Sequence, residues 1–278
     1  MNSVITFLSD FGLSDTSVGQ CKGVIATISP KAVVIDITHS IPAYDVTTGS
    51  WVLRHAVPYF PPCNHVAVVD PGVGTARRGI AVECARGDVL IGPDNGLLVP
   101  ASEVLGGIVS VVELADPQFR RHPVSNTFHG RDIFCPAAAH LMHGVSLHLL
   151  GPRIDPAGLI RLQARKAIAE NGVIETAVAT TNEFGSLALT APAALLEKIG
   201  NPSHIAFTIS DKTLSARVVR TFGEAPVGMT VAFADSYGYI TLAINQDSLA
   251  ARLGITRRDH PEVILKSAPH SELQQEQS

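Results

Sequence analysis

Residues 3–37, SVITFLSDFGLSDTSVGQCKGVIATISPKAVVIDI, decide the fold. Ser3 to Leu8 is a short β-branched apolar run, Asp15 to Ile28 carries a helical pattern, and Ala32 to Ile37 is a second β-branched run. Strands that alternate with a helix read as a mostly parallel sheet covered by helices. The helix carries its own punctuation: Ser14, Asp15 and Thr16 are N-cap candidates, and Pro30 stands just beyond its end.

Working outward, a second helical stretch runs from Asp45 towards Tyr59, where prolines close it. Strands are expected at His65 to Val69, Gly79 to Cys84 and Val89 to Gly92, and a helix from Asp132 to His143, capped by Gly144. The α/β pattern then fades into Gly151-Pro152-Arg153-Ile154-Asp155-Pro156-Ala157-Gly158, a turn-rich stretch that reads as a linker. Beyond it lie period-two segments at Val173 to Thr180, Ser186 to Thr190, His204 to Ile209, Leu214 to Phe222, Met229 to Ala234, Tyr239 to Ile244 and Glu262 to Leu265. Short strands in series predict an antiparallel sandwich or barrel. The expected organisation is an α/β domain with a mostly parallel, Rossmann-like sheet over residues 1–152, a linker over 153–168, a smaller all-β antiparallel domain over 169–270, and a polar tail over 271–278.

The 278 residues suffice for one large domain or two medium ones, and 46% hydrophobic with 17% charged residues is the balance of a folded chain. A formal charge of -4 offers no cation excess to neutralise a phosphate backbone, so nucleic acid is not an expected partner. No apolar run approaches the roughly 20 residues that span a bilayer, and the N-terminus reaches Asp10 without a basic region, so no membrane partner and a cytoplasmic location are expected. Cys21, Cys63, Cys84 and Cys135 show no Cys-x-x-Cys spacing and read as reduced, partly buried thiols.

Ligands of open parallel sheets sit beyond the carboxyl ends of the strands. Ser9-Asp10-Phe11-Gly12 and Asp70-Pro71-Gly72-Val73-Gly74-Thr75-Ala76-Arg77-Arg78 both follow expected strands, as does Gly92-Pro93-Asp94-Asn95-Gly96, whose composition is that of a turn. In the Asp70 segment two glycines let the backbone fold back and present a carboxylate and arginines together, although a plain glycine turn with exposed charges has the same pattern. Asp10 also suits a helix cap. His129 lies in the strand-to-helix loop Thr127-Phe128-His129-Gly130-Arg131-Asp132. His140 and His143 are three apart with no acidic residue nearby, so no metal is expected, and no Gly-x-Gly-x-x-Gly opens a helix, which disfavours a dinucleotide cofactor. No cofactor is expected.

Taken in order, these segments resemble the S-adenosyl-L-methionine (SAM) hydroxide adenosyltransferases, relatives of the fluorinases and chlorinases. The resemblance rests on Phe7-Leu8-Ser9-Asp10-Phe11-Gly12, Gln20-Cys21-Lys22-Gly23, Val69 to Thr75, Pro93-Asp94-Asn95-Gly96-Leu97-Leu98 and Thr127 to Asp132. It implies hydrolysis of SAM to adenosine and L-methionine, by a homotrimer whose sites lie between the α/β domain of one subunit and the β domain of its neighbour. It implies Asp70, Arg77 and His129 as the catalytic set, with Asp10 accepting from the ribose hydroxyls and Ser17 and Tyr44 lining the ribose and methionine end. In the second domain it implies Phe184 and Phe222 as rings flanking adenine, although either ring also suits a core position. There too Ser236 would contact the methionine carboxylate, with Asn182 and Ser186 nearby.

The chemistry fits those residue types. A sulfonium leaves as a neutral thioether, so departure needs neither proton nor metal; what is lacking is a nucleophile, because free water has a pKa of about 15.7. Asp70 and His129 would orient the water and accept its proton while Arg77 stabilises hydroxide character, with the proton acceptor left open between them. A carboxylate at position 70, where halogenating relatives carry an aromatic residue, repels halide and favours hydrolysis. Two positions depart from the family pattern. Thr181-Asn182-Glu183-Phe184-Gly185-Ser186 lacks the usual acid before Phe-Gly and has Ser for Asn, and Tyr237 stands where halogenating relatives carry arginine. These departures leave open a halide-dependent adenosyltransferase, a hydrolase of another adenosyl-type substrate, and a non-catalytic SAM or adenosine binder.

Overall fold

The computed structural model describes residues 3–163 and 166–268; the tail expected at 271–278 and residues 164–165 of the expected linker lie outside them. The chain divides into two compact units, Met1–Leu162 and Gln163–Ser278.

In the first unit the apolar run that opens the chain forms β1 (Val4–Ser9), buried from Ile5 onward because it lies between two neighbours. Helix α1 (Ser17–Ile28) buries Val18, Cys21 and Ile25, an i, i+3, i+7 stripe. Thr16 occupies its N-cap position without a side-chain capping bond, its hydroxyl accepting from Gln20 Nε2 at 2.8 Å, while the Asp15 carboxylate accepts from the Ser17 N–H at 2.8 Å. The chain continues through β2 (Val33–Thr38), α2 (Val46–Ala56), β3 (Asn64–Val68), β4 (Gly79–Cys84), β5 (Val89–Pro93), α3 (Val99–Val104) and β6 (Ile108–Glu113). The helix expected from Asp132 begins as a π-helical turn over Gly130–Phe134 and becomes α4 (Cys135–Met142).

The sheet order is β2-β1-β3-β5-β4-β6. Strands β1, β2, β3 and β5 are parallel, but β4 pairs antiparallel with both β5 and β6. The sheet is therefore mixed, which corrects the expectation of a mostly parallel one. The reason is the connection Ala85 to Asp88, where the Cys84 N–H donates to the Asp88 carbonyl at 2.9 Å. Four residues close a hairpin and are too few for a parallel crossover.

The second unit contains β7 (Ile168–Glu170), β8 (Val173–Thr181), β9 (Leu187–Pro192), β10 (His204–Ile209), β11 (Lys212–Val218), β12 (Thr230–Ala234), β13 (Tyr239–Ile244), the short helix α5 (Leu249–Leu253) and β14 (Glu262–Ser267). Strand β14 pairs with both β10 and β8, closing the sheet into a barrel rather than a sandwich, and β11 with β12 is a parallel pair among otherwise antiparallel ones. Ile174, Leu189, Phe207, Leu242 and Leu265 fill its interior. No helix of the described residues is long and apolar enough to cross a membrane.

Candidate active site

Parallel pairing of β1 with β3 sets their carboxyl ends side by side, and the loops that leave them carry Asp10 and Asp70. The Asp70 loop folds back as its glycines allow. Gly74 has φ +76, and a Cβ there would meet the Asn126 carbonyl oxygen at 2.3 Å, so only glycine lets this loop lie against the segment leading to His129.

Arg77 grips Asp70 with two parallel bonds: Nε donates to Oδ1 at 3.0 Å and Nη2 donates to Oδ2. The same Nη2 donates to His129 Nδ1 at 3.0 Å. Both partners of the ion pair are nearly buried, with side chains 5% (Asp70) and 7% (Arg77) exposed, and the guanidinium also stands over the Phe134 ring at 5.3 Å. Arginine is a donor only, so Nδ1 of His129 presents its lone pair and a neutral ring carries its proton on Nε2. Burial and the neighbouring Arg77 charge hold His129 below the usual histidine range. Burial pushes Asp70 above the usual carboxylate range, and Arg77 offsets this only in part.

Arg78 does not join this set. Its guanidinium grips the buried Asp94, whose other oxygen accepts from the Ile160 N–H at 3.0 Å, and Asn95 donates to the Val69 carbonyl at 2.8 Å. The Asp94-Asn95-Gly96 turn therefore holds the end of β3.

Asp10 and Tyr44 are brought together: the Tyr44 N–H donates to Asp10 Oδ2 at 2.8 Å. Tyr44 adopts φ +69, a conformation costing a non-glycine residue about 1 to 3 kcal/mol. Burial raises the pKa of Asp10; the Tyr44 N–H pulls the other way, and the Asp70 charge adds to the rise. Ser17 lies half-buried in the first turn of α1, its N–H on Asp15, and is not bonded to this group.

Beneath His129 a second carboxylate fixes the loop. Asp132 is fully buried and accepts from Arg131 Nε at 2.7 Å, Arg131 Nη2 at 2.8 Å, Arg121 Nη1 at 3.3 Å and the Ser125 N–H at 2.9 Å. Burial alone would raise its pKa, but Arg131 and the Ser125 N–H outweigh it and hold the carboxyl below its usual range. The sequence reading quoted this residue in its motif and gave it no role.

Cys63, His65 and Asp88 form a buried group of metal-ligating types, their donor atoms within 4.8 Å of one another. The Asp88 oxygens already accept from Arg86 at 2.7 and 2.8 Å, from His65 at 3.0 Å and from the Cys63 N–H at 3.2 Å. The Cys63 thiol is pushed up to about 12 by burial and by Asp88. With the carboxylate compensated by Arg86 and the thiol protonated, the group reads as a structural ion-pair network.

In the second unit a cavity of about 1070 Å³ gathers Asn182, Phe184, Ser186, Phe222 and Ser236 on its walls. Phe184 is 80% exposed and Phe222 40%, the latter edge-on to Phe233 at 4.9 Å. Both rings are open at the cavity rather than core. Asn182 Oδ1 accepts from the N–H groups of Phe184 and Ser186, each at 3.0 Å, and so shapes the turn that presents Phe184. Glu183 does not line the cavity; it pairs with Arg257 at 2.6 Å. The Thr181 hydroxyl, in the segment that lacks the acid, is buried without a hydrogen-bond partner among the described residues. Arg220, Asp235 and Asn245 also line the cavity and were not singled out from sequence, since each sits in or beside a strand with no motif to mark it.

The chain matches two family profiles, the SAM hydroxide adenosyltransferase N-terminal domain over residues 5–151 and the C-terminal domain over residues 176–262. It is 43% identical to a protein named (R)-S-adenosyl-L-methionine hydrolase from Salinispora arenicola, over 92% of this chain and 95% of the relative. It is 28% identical to a fluorinase from an Actinoplanes species, over 90% of this chain and 93% of the relative. The crystal structure of an uncharacterized conserved protein from Thermotoga maritima superposes with a TM-score of 0.87 at 33% identity, covering 94% of this chain and 99% of that one.

Proposed function

The chain belongs to the SAM hydroxide adenosyltransferase family, and we propose that it is an enzyme hydrolysing SAM to adenosine and L-methionine by delivering water to the 5′ carbon. The observation that carries this reading is the hydrogen-bonded chain Asp70, Arg77, His129. Water's oxygen forms the bond to the 5′ carbon as the carbon–sulfur bond breaks, and that electron pair leaves on sulfur as the neutral thioether of methionine.

Asp70 takes the water's proton in this reading. Nδ1 of His129 is occupied by Arg77 and its Nε2 carries a proton, so the ring donates to the water and orients it. Asp70 keeps lone pairs beyond those Arg77 uses, and its raised pKa makes it the better base. Arg77 stays charged and offsets hydroxide character on the oxygen. Asp10 accepts from the ribose hydroxyls, with Ser17 and Tyr44 beside the ribose and methionine end. Phe184 and Phe222 flank adenine, Asn182 and Ser186 lie at its edge, and Ser236 meets the methionine carboxylate. The residue set is divided between the two units, and the reading includes a homotrimer in which the first unit of one subunit meets the second unit of its neighbour; light-scattering mass tests it.

Chromatography of products from SAM tests the function. Adenosine and methionine in equal amounts, unchanged by added chloride, support hydrolysis, and chloride-dependent 5′-chloro-5′-deoxyadenosine contradicts it. Asp70→Ala and His129→Ala serve as the inactive controls.

A further inference from the structure

We propose that His39 is a positioning residue for Asp10, holding through Ser9 the loop whose carboxylate takes the ribose hydroxyls. The inference rests on the ribose role given to Asp10 above and adds to it a buried chain that the catalytic set does not use. His39 follows β2 and is 3% exposed; Ser9 closes β1 and is fully buried. His39 Nδ1 lies 2.7 Å from Ser9 Oγ, and the Ser9 oxygen also accepts from the Phe11 N–H at 3.3 Å.

These contacts fix a direction. The Ser9 oxygen could accept from both Phe11 and the ring, so the direction is set on the far side of the imidazole: His39 Nδ1 accepts from the Ser9 hydroxyl because a carboxylate there draws the ring's proton to Nε2. That nitrogen stands 3.1 Å from Asp36 Oδ1, though poorly aligned for a hydrogen bond, and Asp36 is held in turn by Lys22 at 2.6 Å. The serine is sealed from solvent, so this Ser, His and Asp set is a brace and not a nucleophile.

The backbone completes the brace. The Gly12 N–H donates to the His39 carbonyl at 2.8 Å, so residue 39 binds the Asp10 loop on both sides of the carboxylate, at Ser9 and at Gly12. Five residues on, Tyr44 gives its N–H to Asp10 itself. The His39 ring also packs edge-on against Phe7 at 4.7 Å, and Phe7 meets Phe11 at 6.2 Å. The segment from residue 39 to residue 44 thus determines where the Asp10 carboxylate stands.

The test compares inhibition of SAM hydrolysis by adenosine and by 2′,3′-dideoxyadenosine, which lacks both hydroxyls, in wild type, His39→Ala, His39→Asn and Ser9→Ala. Wild type is expected to prefer adenosine by about tenfold or more, and His39→Ala to lose about 3- to 10-fold of that preference, with KM for SAM rising more than kcat falls. The asparagine amide can stand where Nδ1 does, so His39→Asn retains most of the preference. Ser9→Ala reproduces the loss, is not additive with His39→Ala, and reports even where the larger deletion impairs folding. Wild-type discrimination retained by both His39→Ala and Ser9→Ala overturns the proposal and leaves the Asp10 reading standing. No discrimination in wild type overturns the Asp10 reading and the proposal with it.

Discussion

Arg77 donates to Nδ1 of His129 across 3.0 Å, which commits the lone pair of that histidine before any substrate arrives. In the proposed mechanism the proton thus goes to Asp70. Asp70→Asn is therefore predicted to lower kcat by roughly 10²-fold or more with little change in KM. The same variant leaves the nearly buried Arg77 without its carboxylate, so it is also predicted to melt lower than wild type, and kcat is compared on the folded protein. Near wild-type kcat in the folded variant would make Asp70 structural instead.

The pH dependence follows from the same two groups. Asp70 must be ionised, and its pKa lies above 3.8; His129 must be neutral, and its pKa lies below 6.5. The rate is predicted to fall on the acid side as these groups take up protons, with the limb of kcat/KM above 3.8 because burial raises Asp70. A rate that stays flat down through pH 3.8 would contradict the assignment.

Much of this site was legible because its chemistry is local in sequence. Asp70, Gly72, Gly74 and Arg77 lie within one loop, and the glycines forecast the fold-back that joins acid to base. The brace at His39 was not legible, because Ser9 and His39 meet only through the pairing of β1 with β2. The antiparallel β4 was written in the short connection Ala85 to Asp88, whose length outweighed the α/β rhythm around it. Barrel closure by β14 on β8 joins segments far apart in the chain, which alternation along one strand does not encode.

Phe184 separates binding from folding. Its ring is 80% exposed at the cavity, so Phe184→Ala is predicted to change stability by less than about 0.5 kcal/mol. Loss of an aromatic face is predicted to raise KM for SAM by roughly 3- to 10-fold. Calorimetric melting beside steady-state kinetics checks both, and unchanged KM would remove the ring from the adenine site.

Asp88 sets acid stability. Burial would raise its pKa, but bonds from Arg86, His65 and the Cys63 N–H outweigh it and hold the carboxyl well below its usual range. Its contribution is present above the unfolded value near 3.8 and is lost as pH falls towards the folded one. Asp88→Asn is predicted to cost about 3 to 5 kcal/mol by leaving Arg86 uncompensated, and to flatten the stability change below pH 4. Denaturant unfolding at several pH values measures both.

The most direct test is incubation of the purified, chelator-treated protein with SAM in ¹⁸O-labelled water, followed by mass spectrometry of adenosine and methionine. The account predicts one ¹⁸O in the adenosine and none in the methionine, with no label transferred by Asp70→Ala. Unlabelled adenosine, or intact SAM despite saturable binding, would contradict hydrolysis at the 5′ carbon.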